Sequence, residues 1–241
     1  STGRMRWKST VPTPNVTAVH AVDATSLVVA TSDIGLVLMD GRTGAEIRRL
    51  EVKPSPGQAV AVNPAGTLVA AGDGTDVALF DRATGKRTAL LRGHAGLLLD
   101  LAFSPDGATL ATAGIDHTVR LWDVASGAPI GDAMTGHTEI VALVSFADAG
   151  RSLVSGSASE VATWHLDGSG FGRALPAGRV WALDASTDGR LLATTDGYGG
   201  TVRVWDVAHR RRVGAPLRSG ASFVRAVRFS ADRSLLAVAA E

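Results

Sequence analysis

The chain has 241 residues, with 24 Lys+Arg against 23 Asp+Glu (net charge +1), and is 45% hydrophobic, 20% charged and 5% aromatic. This is the composition of a globular chain, too apolar for a disordered one, and its balanced charge favours neither nucleic acid nor anionic lipid as a partner. It contains no cysteine, which excludes disulfides, zinc ribbons, iron–sulfur ligation and cysteine catalysis.

No apolar run approaches the roughly 20 residues that span a bilayer. No charged-then-apolar opening marks a secretory signal, so a cytoplasmic location is expected, although Ser1 in place of Met leaves the true start open. Only Lys8, Lys53 and Lys86 are lysines among the 24 basic residues. With many Ala and Gly, that bias reads as a high-GC bacterial source.

Self-similarity dominates the chain. Residues 36–40 read Leu-Val-Leu-Met-Asp, 77–81 Val-Ala-Leu-Phe-Asp, 119–123 Val-Arg-Leu-Trp-Asp, 161–165 Val-Ala-Thr-Trp-His and 202–206 Val-Arg-Val-Trp-Asp. Their last residues lie 41, 42, 42 and 41 residues apart. Each unit repeats one pattern, clearest in the third. Residues 86–91 predict a polar strand and 98–103 an apolar one. The turn Ser104-Pro105-Asp106-Gly107 follows: Pro fixes φ, Asp bonds nearby backbone and Gly relieves the exit. Residues 109–113 predict the next strand, and a Gly/Asp-rich turn leads into the strand that ends in Trp-Asp. Four short strands separated by turns read as an antiparallel meander.

These residues resemble the WD-repeat family of β-propellers. Trp122-Asp123 and Trp205-Asp206 match the dipeptide that names the family, Gly93-His94 and Gly136-His137 its Gly-His, and Ser104-Pro105-Asp106-Gly107 its common turn. The resemblance covers roughly residues 4–241 and implies an all-β fold of units near 4–40, 41–81, 82–123, 124–165, 166–206 and 207–241, the last incomplete. It implies an outer strand at 4–9, strand triples near 16–40, 58–81, 97–123, 140–165 and 179–206, and a half blade at 223–229 and 234–239. We therefore expect the chain to be part of a longer ring of six to eight blades.

The resemblance also implies a buried hydrogen-bond chain. In the third unit it would run through His94, Thr112, Asp116 and Trp122, and in the fourth through His137, Ser155 and Trp164, where Ser159 stands in the place of the Asp. The second unit ends in Phe80 rather than Trp, the fifth has Trp205 without Gly-His, and the first has neither. Five residues before the end of each inner strand stand Thr17, Gln58, Leu99, Ala142, Trp181 and Arg225. In the family this position lies at the top of the central channel and contacts partners, and Trp and Arg are enriched among binding hot spots.

No constellation points to catalysis. His20, His94, His117, His137, His165 and His209 include no helical His-x-x-x-His pair, and no Gly-x-Ser-x-Gly elbow accompanies Ser104. The stretches Gly72-Asp73-Gly74 and 197–200 precede strands rather than a helix, so they read as turns and not as phosphate cradles. Asp40, Asp81, Asp123 and Asp206 follow strands, where a carboxylate accepts backbone N–H groups. The basic run 210–212 reads as a solvated edge strand.

The expected function is a non-enzymatic scaffold or sensory module that binds a protein, a peptide or other domains of its own polypeptide, without cofactor, metal, nucleic acid or membrane. Residues 131–137 and 213–217 resemble phrases in the C-terminal propellers of large bacterial signalling proteins with a STAND-type switch or a kinase domain. The alternatives are a propeller enzyme with its site at the channel mouth, for which the six-residue ring offers no carboxylate or histidine, and a module that self-assembles through its incomplete blade.

Overall fold

The computed structural model describes residues 16–23, 26–31, 35–53, 59–166, 170–175, 180–186, 188, 190–196, 198–207, 209, 211–230 and 234–240. The expected outer strand at 4–9, Gln58, Gly197 and Arg210 lie outside them, as does the side chain of Thr17.

Chain reversal is built from side chains that satisfy the turn backbone. After β9 (Leu98–Phe103), Ser104 Oγ donates to Asp106 Oδ1 (2.5 Å) and accepts from Thr109 N (2.9 Å), while Gly107 takes φ +73°. Ser186 and Asp188 repeat this device between β16 (Ala182–Ala185) and β17 (Leu191–Thr195). After the third strand of a sheet, an Asp closes the next turn: Asp40 accepts from Arg42 N and Thr43 N, Asp81 from Thr84 N, Asp123 from Ser126 N and Asp206 from His209 N. All four carboxyls are held below their ordinary pKa, Asp81 and Asp123 chiefly by the Thr84 and Ser126 hydroxyls and then by these backbone bonds, Asp40 and Asp206 chiefly by the backbone bonds.

Six antiparallel sheets result. The first holds β1 (Val16–Asp23), β2 (Ser26–Thr31), β3 (Gly35–Asp40) and β4 (Glu46–Leu50). The second holds β5 (Val60–Val62), β6 (Leu68–Asp73), β7 (Asp76–Asp81) and β8 (Arg87–Leu91). The third holds β9, β10 (Thr109–Gly114) and β11 (Val119–Asp123); bridges from Val119 to Met134 and from Trp122 to Pro129 take the fourth-strand position. The fourth holds β12 (Val141–Ala147), β13 (Ser152–Ser157), β14 (Val161–His165) and β15 (Gly170–Leu175). In the fifth, β16, β17 and β18 (Thr201–Asp206) carry a split outer strand, β19 (Arg211–Arg212) and β20 (Leu217–Arg218). β19 and β20 are exposed. The sixth pairs β21 (Val224–Phe229) with β22 (Leu236–Ala240).

The core lies between sheets. On the second sheet Val69, Ala71, Ala78 and Phe80 pack toward the first, whereas Ala70, Val77 and Leu79 pack toward the third with Leu101, Leu110 and Trp122. The period-2 alternation therefore buries both faces, which is why these strands read as continuous apolar runs. Equivalent cores join the third to the fourth, the fourth to the fifth and the fifth to the sixth sheet. Truncating Leu101, which is buried, is expected to cost roughly 2–5 kcal/mol; Phe103 is only half-buried and stands to lose less.

The first strands β1, β5, β9, β12, β16 and β21 pack side by side in that order. Radial sheets with adjacent inner strands are the blades of a β-propeller. Among the described residues, no comparable packing joins β21 back to β1.

Candidate functional site

Two groups of polar and aromatic residues lie at the end of the blades where the inner strands begin. One is buried. His94 Nδ1 is 2.8 Å from Asp116 Oδ2, its Nε2 is 2.7 Å from Thr112 Oγ1, and Trp122 Nε1 donates to the same hydroxyl at 3.0 Å. An ionised carboxylate only accepts, so Nδ1 carries the proton and Nε2 accepts from the threonine. Burial lowers the His94 pKa against the opposing pull of Asp116, which keeps the ring neutral. Burial would raise Asp116, but bonds from Ala95 N, the Thr118 hydroxyl and His94 outweigh it and hold the carboxyl below its usual range.

In the fourth blade His137 Nε2 lies 2.7 Å from Ser155 Oγ, which accepts from Trp164 Nε1 at 2.7 Å. The carboxylate beyond His137 is Glu160, 3.1 Å from Nδ1. The sequence pattern points to Ser159 there, but Ser159 bonds to Glu139 (3.0 Å), and Glu160 spans the one-residue offset with its extra methylene. Burial also lowers the His137 pKa, with Glu160 opposing. The fifth blade keeps the indole–hydroxyl bond, Trp205 Nε1 to Thr194 Oγ1 at 2.8 Å.

The second group is largely exposed and lines an open cleft. Of the six positions counted from the inner-strand ends, Leu99 and Ala142 are half-buried on β9 and β12, apart from it. Trp181 and Arg225 meet in one open cleft of about 440 Å³ with Tyr198, Ser222 and Phe223. Trp181 immediately precedes β16 and is fixed by its backbone N–H to Thr195 O (2.8 Å). Gly199 N donates to Ser222 O and Ser219 N to Gly200 O, both at 2.9 Å, and Tyr198 bridges to Phe223. The connection between β17 and β18 is thereby sewn to the segment that enters the sixth blade. Gly200 (φ +62°) permits this approach, since a Cβ there would collide with Ala221 O and reach 2.7 Å from Ser219 Oγ.

The rings are held nearly perpendicular. Phe223 lies 5.0 Å from Trp181 and 5.1 Å from Tyr198, each at 79°; Trp181 and Tyr198 are 6.5 Å apart at 68°. Trp181 is 48% exposed and Tyr198 66%. The Arg225 guanidinium stands over the Phe223 ring, 5.4 Å from its centroid, within cation–π range. Tyr198 and Phe223 fall outside the six-position count. The available sequence signal was that Tyr198, the chain's single tyrosine, sits among glycines in a turn.

Two inner-strand carboxylates were also missed. Asp100 accepts from Val144 N (2.9 Å) and Asp184 from Phe229 N (2.7 Å), so each ties its blade to the inner edge of the next. Burial pushes Asp100 up to about 6, against the bond from Val144 and the charge of Arg228. Burial raises Asp184 likewise, and Arg228 lies 3.6 Å from it.

The architecture and the buried imidazole–hydroxyl–indole chains define a repeat-built propeller. Residues 85–123 and 173–206 match the family described as WD domain, G-beta repeat, so the chain carries WD repeats. It is 28% identical over 109 residues to the Periodic tryptophan protein 2 homolog of Schizosaccharomyces pombe, covering 44% of this chain and 13% of that protein. Nuclear distribution protein PAC1 of Arthroderma otae is 29% identical over 163 residues, 62% of this chain and 35% of its own length. WD repeat-containing protein 36 of Homo sapiens is 33% identical over 109 residues, 44% of this chain and 12% of its own. The matched stretches thus span about a third or less of these relatives, all of them eukaryotic. Among the described residues no helix is long and apolar enough to cross a membrane.

Proposed function

We propose that the chain is a non-enzymatic protein-interaction scaffold that binds a protein or peptide at the cleft of Trp181, Tyr198, Phe223 and Arg225. The observation that carries this reading is the exposure of the Trp181 and Tyr198 rings and the Arg225 guanidinium around a half-buried Phe223, on backbone already fixed by hydrogen bonds between two blades. A surface organised before binding loses little entropy when a partner arrives, and Trp, Tyr and Arg dominate binding hot spots. The inner-strand carboxylates are engaged with backbone amides, which favours binding over acid–base chemistry. The reading extends to a cytoplasmic regulatory module of a larger signalling protein, on the strength of residues 131–137 and 213–217. The bacterial parentage rests on those phrases and on the scarcity of lysine in an Ala- and Gly-rich chain.

Selection of displayed random peptides on the wild type, with recovered clones measured against Trp181→Ala, tests the proposal. Trp181 is half exposed, so the variant should fold as the wild type while binding falls tenfold or more. Clones that bind both proteins equally, or no enrichment over a bare support, would overturn the assignment.

A further inference from the structure

The cleft has a chemical sign that the scaffold reading does not specify. Its three rings stand at 68–79° to one another and close a corner rather than a stacking slot. A corner of this kind suits a compact apolar side chain, such as Leu, Ile or Pro. Aromatic corners also suit cations, but here the Phe223 face already carries the protein's own guanidinium, and an incoming ammonium would meet a like charge.

The surroundings reinforce that sign. Among the residues that line the cleft, the charged one is Arg225. Arg218, exposed on β20 opposite Thr201 and next to Ser219, adds a second positive charge at this end of the fifth blade, and the two would steer an acidic partner toward the cleft.

Resting on the scaffold reading, we infer that the cleft takes an acidic peptide segment, an aliphatic or proline side chain seated among the rings with a Glu or Asp beside it facing Arg225. A single-stranded nucleic acid is the less favoured occupant. It needs ring faces open for successive bases and a basic track along the backbone, whereas these rings close on one another.

The test uses N-acetylated, C-amidated peptides with a central Pro-Leu flanked by Glu, by Gln or by Lys, together with a uridine decanucleotide, titrated by calorimetry into the wild type, Trp181→Ala, Arg225→Gln and Arg225→Glu. The Glu peptide is expected to bind at least tenfold more tightly than the Gln peptide, and more weakly as salt rises. Arg225→Gln should erase that difference, and Arg225→Glu should make the Lys peptide the tighter ligand. Trp181→Ala should abolish binding of every peptide, with thermal unfolding of each variant confirming the fold. Equal binding of the Glu and Gln peptides, or a preference for Lys, with Trp181 still required, would overturn the inference and leave the scaffold reading standing. Saturable binding of the oligonucleotide at the cleft would overturn it in favour of a nucleic acid. Failure of all peptides would also overturn it, and the scaffold reading would then stand or fall with the display selection.

Discussion

Replacing Thr112 by Val tests whether the buried hydrogen-bond chain stabilises the third blade. The two side chains have nearly the same shape, so packing is kept while the hydroxyl is lost. Thr112 is fully buried, and its Oγ1 serves both His94 Nε2 (2.7 Å) and Trp122 Nε1 (3.0 Å). The substitution leaves one acceptor and one donor without partners, away from water. At about 1–3 kcal/mol for each orphaned group, the loss comes to roughly 2–6 kcal/mol. Thr194→Val is the internal control, because Thr194 Oγ1 serves Trp205 Nε1 (2.8 Å) without a histidine; about 1–3 kcal/mol is expected there. Urea unfolding followed by tryptophan fluorescence gives both losses. Hydrogen exchange over β9–β11 shows whether the opening is local, as repeat architectures allow. Equal losses at the two sites, or a Thr112→Val protein within about 0.5 kcal/mol of the wild type, would refute the reasoning.

Two further perturbations follow from the inner strands and the cleft. Asp100, ordinarily near 3.8 and raised to about 6 in the fold, costs stability wherever it is ionised: the cost is absent below about pH 4, grows as pH rises through 6 and is complete above it. The shift corresponds to about 3 kcal/mol at most, and the carboxylate is only half-buried, so about 1–2 kcal/mol is expected. Asp100→Asn should therefore gain that amount over the wild type at pH 8 and nothing at pH 4. His94 and His137, held neutral by burial, cost stability as pH falls through 6.5, so the difference between the two unfolding curves is the quantity to measure. A gain independent of pH would reject the assignment. Gly200→Ala should push the 219–221 segment away from the β17–β18 connection and weaken peptide binding at the cleft, with increased hydrogen exchange at Gly199 and Ser219; unchanged binding would show that the close approach is not needed.

The repeat period made the blades legible because each unit places the same turn chemistry at the same phase. Ser104 with Asp106, and the Asp after each third strand, specify chain reversal locally, so strand triples could be located without tertiary information. The outer strands were harder to read. At the third blade two bridges replace a ladder, and at the fifth the strand splits in two, since an exposed edge has few apolar residues to fix its register. Glu160 escaped because the pattern counts backbone positions, whereas the carboxylate that meets His137 is set by side-chain reach. Asp100 and Asp184 escaped because their partners, Val144 N and Phe229 N, lie a full repeat away. A carboxylate in an otherwise apolar strand was the only signal.

Tyr198 and Phe223 show the same limit at the cleft. Each lies in a connection whose length varies between repeats, and they meet only because one blade's turn is sewn to the entry of the next. This arrangement separates two tasks. Buried hydroxyls, imidazoles and indoles hold the third and fourth blades from within, and a hydroxyl–indole bond the fifth, while the rings stand in the connections at the strand ends and Arg225 near the start of β21. Side chains there can change without orphaning a buried polar group, whereas a change at Thr112 or Ser155 cannot avoid doing so. Binding specificity can thus vary on a frame whose stability is set elsewhere. Comparing Trp181→Ala with Thr112→Val exposes that division: the first should lose the partner and keep the unfolding midpoint, and the second should lower the midpoint and, well below it, keep the partner.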